Sequence, residues 1–175
     1  MKLLFGTGGT PVSSPKKDSI TGITTVKKLG LDCMELEFVQ GVKMGEEMAK
    51  RVKEHSEELG IVLTAHAPYF INLNSTDKEK LNASIKRIVD TARIGSLCGT
   101  RSITFHPGFL GKDKPQEVLK KIVQGVKRVQ EEMREEGIVM DIRPETTGKP
   151  SQFGGLQEIL ELCSETGIQP CIDFA

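Results

Sequence analysis

The sequence has no tryptophan, one tyrosine and seven phenylalanines in 175 residues, so surfaces for stacking on a base are scarce. It also lacks net charge: 24 Lys and Arg balance 24 Asp and Glu. No global basic field advertises a nucleic-acid partner, although a local patch can coexist with neutrality. Apolar runs are far too short to span a bilayer, and no charged-then-apolar leader opens the chain. The expectation is a cytoplasmic protein with no membrane partner. The four cysteines, Cys33, Cys98, Cys163 and Cys171, form no C-x-x-C pair and read as reduced core thiols. The first strand lacks a G-x-G-x-x-G opening a helix, which weakens a dinucleotide-binding reading.

What is present is a pattern that recurs four times. A short β-rich run delivers a metal-capable side chain at its carboxyl end, and a loop follows. The runs are 61–66 ending in His66, 102–106 ending in His106, 138–145 ending in Glu145, and 170–173 ending in Asp173. Alternation along a strand puts Thr64 with His66, Thr104 with His106, Arg143 with Glu145 and Cys171 with Asp173. The other face carries Leu63, Ile103, Phe105, Met140, Ile142 and Ile172 and can pack on helices. Four such ends close together would cluster two imidazoles and two carboxylates, the ligand chemistry of zinc or a similar divalent metal.

In chain order, 2–6 reads as a first strand, followed by a Gly/Thr/Pro/Ser-rich loop over 6–16. Helices are expected at about 18–29, 45–59, from a capping box at Thr76-Asp77-Lys78-Glu79, after Asp113, and at about 154–166. Gly30, Gly60, Gly137 and Gly167 are placed to close four of them. His55 falls among Met48, Val52 and Leu59 and reads as a helix-packing residue. The alternation of strand and helix calls for a parallel sheet with crossover helices. An open doubly wound sheet and a (β/α)8 barrel both fit; ligands at successive strand ends favour the barrel. A full barrel takes about 250 residues. The expectation is therefore one domain over 1–175, about six strands and five helices, as the incomplete amino-terminal two-thirds of a TIM barrel.

At 66–73, at His106-Pro107-Gly108, at Pro144-Glu145-Thr146-Thr147-Gly148 and at Cys171-Ile172-Asp173, the chain resembles the endonuclease IV family, AP endonucleases among the xylose-isomerase-like barrels. The likeness runs through all 175 residues and is best to archaeal members. It implies a DNA-repair hydrolase that cleaves the phosphodiester 5′ to an abasic site in double-stranded DNA, with hydroxide activated by up to three zinc ions, manganese being the alternative. By position, His66 and His106 would bind one zinc, Glu145 would bridge it to a second as the catalytic carboxylate, and Asp173 would bind that second ion. Tyr69 and Phe70 would match the loop that enters the minor groove. Further ligands of the family would lie beyond Ala175, so little nuclease activity is expected of these residues alone.

Glu35 and Glu37 depart from that picture. Both lie on the ligand face of the second strand, where carboxylates would repel a DNA backbone but suit a sugar hydroxyl or another metal. Arg143 and Asp141 are candidates to pair with them. The loop 39–44 is also thin in arginine and aromatics for a DNA probe. Two alternatives therefore stand: a metal-dependent sugar or sugar-phosphate isomerase or epimerase of the same superfamily, or an incomplete, non-catalytic metal-binding half-barrel. Open sheet edges would invite self-association in the last case.

Overall fold

The computed structural model describes residues 3–174. Its first half runs β1 (Gly6–Gly8), α1 (Ser19–Lys28), β2 (Cys33–Glu37), α2 (Glu46–Leu59), β3 (Val62–His66) and α3 (Lys78–Leu97). The second half runs β4 (Ser102–Phe105), β5 (Gly108–Phe109), α4 (Pro115–Glu135), β6 (Asp141–Pro144), β7 (Gln152–Phe153) and α5 (Leu156–Thr166). Five strands form one parallel sheet in the order β1-β2-β3-β4-β6, each joined to the next through a helix. This is the partial α/β TIM-barrel fold anticipated from the strand–helix alternation. No helix among the described residues is long and apolar enough to cross a membrane.

The apolar sheet face carries Met34, Leu36, Leu63, Ala65, Ile103, Phe105 and Ile142, all buried. Against it the helices turn Ile23 and Val26, Ala49 and Val52, Ile85, Ile88 and Ala92, and Val118, Ile122, Val126 and Val129. Their spacing of three and four residues puts one stripe of each helix on the sheet. Each fully buried aliphatic side chain contributes about 1.5–3 kcal/mol. His55 packs as expected: its Nε2 lies 2.8 Å from the Thr24 hydroxyl, tying α2 to α1.

The helix ends follow local chemistry. Gly30, Gly60, Gly137 and Gly167 take φ of 72°, 67°, 68° and 74°, the left-handed conformation that terminates a helix. The expected capping box is corrected by one residue. Asp77, not Thr76, caps α3, its carboxylate accepting from the amides of Glu79 at 2.9 Å and Lys80 at 3.2 Å. A carboxylate at this position also meets the positive end of the helix dipole, which favours it over a hydroxyl. Asp77→Ala should cost about 1 kcal/mol, read as a lower urea midpoint with unchanged slope.

Three other boundaries differ from expectation. Pairing of the first strand begins at Gly6, where the expected loop starts; Leu3 and Phe5 stay exposed. A side chain at position 6 would collide with the Cys33 carbonyl, so glycine here marks close strand approach rather than a turn. The sixth run is reduced to a bridge between Cys171 and Glu145. β5 and β7 were not anticipated; they pair antiparallel and join the loop after β4 to the loop after β6. Lys2 and Ala175, at the outer ends of the first and sixth expected strands, lie outside the described residues.

Candidate metal centre

His66 is the last residue of β3 and His106 follows β4 directly, while Glu145 follows β6. The register is staggered: His66 lies opposite Thr104, and Thr104 opposite Arg143. His106 and Glu145 are therefore one pleat further along, as the tilt of barrel strands requires. The side chains still converge. One ligand atom from each of His66, His106 and Glu145 falls within 4.8 Å of the others. Glu145 Oε2 is 3.2 Å from His66 Nε2 and 3.3 Å from His106 Nε2, and the two imidazole centroids are 5.4 Å apart.

The surroundings fix how these groups present themselves. His66 is only 7% exposed, and its Nδ1–H donates to the Ala67 carbonyl at 2.6 Å, leaving the Nε2 lone pair aimed at a carboxylate. A lone pair facing an anion is stable only with a positive charge between them, either a proton or a metal ion. Burial pulls the His66 pKa down, but the hydrogen bonds to Glu145 and Ala67 and the charges of Glu145 and Glu35 outweigh it and hold the imidazole above its ordinary value. His106 goes the other way: burial, with His66 and Lys149 nearby, holds it below its ordinary value despite Glu145 and Asp173. Its Nδ1 is buried with no hydrogen-bond partner among the described residues. Two imidazoles, one under-bonded, and a shared carboxylate fit a divalent cation of the zinc type.

The loop after β4 is held by Gly108, whose φ of 147° is open to glycine alone. A Cβ there would lie 2.5 Å from Asn72 Oδ1 and 3.1 Å from the Leu73 amide nitrogen. The loop after β3 can thus pack directly on the residues following His106, with the Leu73 amide donating to the Pro107 carbonyl at 2.9 Å. The loop after β6 is fixed by Thr146. Its hydroxyl accepts from the Asp173 amide at 2.8 Å and donates to the Asp173 carbonyl at 3.1 Å. Neither role was visible in the sequence, where Gly108 and Thr146 stood only as neighbours of ligands.

The remaining expected residues are placed as follows. Asp173 is exposed and outside the three-residue cluster, close enough for its charge to raise the His106 pKa. Tyr69 and Phe70 are 58% and 71% exposed beside the site, the Tyr69 ring edge-on to His66 at 5.5 Å. Cys171, on the same face as Asp173, points its thiol at Glu145 Oε1 over 3.8 Å, and burial pushes its pKa up to about 11. Glu35 is half-buried opposite Thr64, whose side chain hydrogen-bonds it; Glu37 is exposed opposite His66. The expected pairing of Arg143 and Asp141 with these glutamates is corrected. Arg143 reaches Asp141 of its own strand at 3.4 Å, a partner two residues away on the same face.

Burial raises the Glu35 pKa, and the charges of Glu37 and Glu145 add to it against His66 and Thr64. The sign follows directly. A folded pKa above the unfolded one means that Glu35 supports the fold fully below its ordinary value near 4.5 and loses that support as pH rises through the folded value. Metal-free Glu35→Gln should therefore unfold at higher urea than the parent at pH 7.5, the gap closing towards pH 4. Equal midpoints at both pH values would contradict this.

Residues 23–175 match the profile of the family described as xylose isomerase-like TIM barrel. An uncharacterized protein of Methanocaldococcus jannaschii is 42% identical over 173 residues, 99% of this chain and 62% of that one. A probable endonuclease 4 of Shouchella clausii is 30% identical over 104 residues, 58% of this chain and 35% of that protein. The chain thus spans less than two thirds of the length of these relatives. Two solved structures superpose with a TM-score of 0.71. One is endonuclease IV from Thermus thermophilus, at 21% identity over 90% of this chain and 58% of that one. The other is D-psicose 3-epimerase with D-tagatose from Clostridium cellulolyticum, at 18% identity over 86% and 55%. At such identities the structures establish fold alone. By its sequence match and its fold, the chain belongs to the xylose isomerase-like TIM barrel family.

Proposed function

We propose that residues 1–175 form one domain of a zinc-dependent hydrolase that cleaves DNA 5′ to abasic sites. The observation that carries this reading is the convergence of two imidazole nitrogens on one Glu145 oxygen, at 3.2 and 3.3 Å. Nitrogen-rich sets of this kind suit zinc, whereas oxygen-only sets suit magnesium, calcium and manganese. His66, His106 and Glu145 would hold the ion, which would supply Lewis acidity and a water of lowered pKa. The 30% identity to a probable endonuclease 4 supports the same reading.

The chain's own residues have definable tasks in such a reaction. Ala67 fixes the His66 tautomer through its carbonyl, so that Nε2 is presented without searching. Glu145 places its Oε2 between the two imidazoles. Tyr69 and Phe70, exposed at the rim, are apolar wedges for a minor groove. An abasic nucleotide has no base to unstack, so rotating it to the site costs less than flipping an intact one.

A second reading, sugar isomerisation or epimerisation, is favoured by Glu35: a half-buried carboxyl with raised pKa near His66 suits proton transfer at a carbon next to a carbonyl. Equilibrium binding separates the two. The zinc-loaded chain should prefer a duplex containing a tetrahydrofuran abasic analogue to an intact duplex, with affinity falling steeply as salt rises. No duplex preference, together with saturable binding of a ketohexose insensitive to salt, would overturn the nuclease reading in favour of the second.

A further inference from the structure

A cleft of about 840 Å³ lies between the loops that follow β1 and β2 and the first turns of α1 and α2. Four basic residues line it from separate parts of the chain: Lys16 and Lys17, Lys43, and Arg51. None of them makes an ion pair among the described residues. The one acidic residue beside Lys16 and Lys17, Asp18, is committed to capping α1, accepting from the Thr21 amide at 2.8 Å and its hydroxyl at 2.9 Å. Lys16 lies within range of the Asp18 charge and Lys17 Nζ donates to the Val12 carbonyl at 3.5 Å, but neither is closed by an ion pair, and the four cations can take an outside anion. Glu35 and Glu37 also line the cleft. Glu37 pairs opposite His66 across β2 and β3, so the carboxylates of the cleft adjoin the metal centre.

A cleft lined by both cations and carboxylates suits a ligand that carries an anionic group and hydroxyls. Phosphate is met by lysine as a point charge and by arginine through paired N–H donors. Carboxylates accept hydrogen bonds from hydroxyls. We infer that this cleft is a phosphate subsite: Lys16, Lys17, Lys43 and Arg51 hold the phosphate of a phosphorylated sugar unit, and Glu35 and Glu37 face its sugar. The unit has two sources, a nucleotide within a DNA strand or a free sugar phosphate. This deepens the proposed function and rests on its placing the reacting centre at His66, His106 and Glu145.

The test uses the zinc-loaded chain and the double variant Lys43→Glu, Arg51→Glu. Unchanged zinc content and an unchanged urea midpoint show that fold and metal centre are intact. The probes are 2-deoxyribose 5-phosphate, unphosphorylated 2-deoxyribose, and duplexes with and without the abasic analogue. If the source is a free sugar phosphate, the parent binds the phosphorylated sugar at least about tenfold tighter than the plain one, and the double variant loses that difference. If the source is a strand, neither sugar binds, duplex affinity falls about tenfold or more in the variant, and the salt slope drops by about 1 for each phosphate contact removed. Equal binding of every probe by parent and variant overturns the subsite, as does a parent that binds none of them. The two proposals fail separately. Loss of abasic preference with the charge effects intact removes the nuclease reading and leaves the subsite; an abasic preference unmoved by the variant does the reverse.

Discussion

His66→Ala should abolish stable zinc binding, taking metal content from about one ion per chain to a trace, with affinity weakened by more than about 100-fold. The size follows from how few ligands the site has. Only His66, His106 and Glu145 bring donor atoms within 4.8 Å of one another among the described residues. Deleting one leaves an imidazole and a carboxylate, too few to outcompete water. Supporting groups alone are worth about 10–100-fold at metal sites, so a direct ligand should exceed that range. The variant should fold, because His66 is at a strand end and its main-chain pairing does not need the ring. Elemental analysis after desalting, with circular dichroism as control, decides the matter. Full zinc occupancy in the variant would mean that His66 is not a ligand.

The second large effect is in the core. Phe105→Ala should destabilise the fold by about 3–5 kcal/mol, a large share of the roughly 5–15 kcal/mol that holds a typical domain together. Phe105 is fully buried on the helix-facing side of β4, and its carbonyl accepts from the Glu145 amide at 3.0 Å. It therefore supports the sheet immediately beneath both His106 and Glu145. Loss of the ring should lower the urea midpoint sharply and weaken zinc binding in parallel, since His106 follows that strand directly and the Glu145 amide is hydrogen-bonded to it. A loss below about 1 kcal/mol would show that neighbouring side chains fill the space.

The sequence made the fold legible where two periodicities alternate. Ile103 and Phe105 against Thr104 and His106 announced a strand with one apolar face, and that sidedness is seen in the structure. Helix ends were equally readable, because a glycine at positive φ is a local requirement. The candidate ligands were legible for a related reason: a strand-end residue inherits the face of its strand. What was hidden depends on contacts between distant segments. Gly6 looked like a loop residue because nothing nearby in sequence reveals that Cys33 will press against it. The β5–β7 pairing is two residues long on each side, too short for any pattern. The basic cleft collects residues from 16 to 51, and charges so spaced read singly as solvated surface. Arg143 finding Asp141 rather than Glu35 turns on strand offset, which composition does not encode.

The central claim is that two imidazoles and one carboxylate, and no thiolate, hold the ion. Zinc K-edge X-ray absorption on the zinc-loaded chain tests it directly, because Cys171 stands 3.8 Å from Glu145 as the obvious competitor. The account predicts a shell of nitrogen and oxygen neighbours with the multiple-scattering signature of two imidazoles and no sulfur. Burial pushes the Cys171 pKa up to about 11, which disfavours its thiolate as a competing ligand. A sulfur neighbour, or a shell with no imidazole signature, would contradict the assignment of His66, His106 and Glu145 as the metal centre.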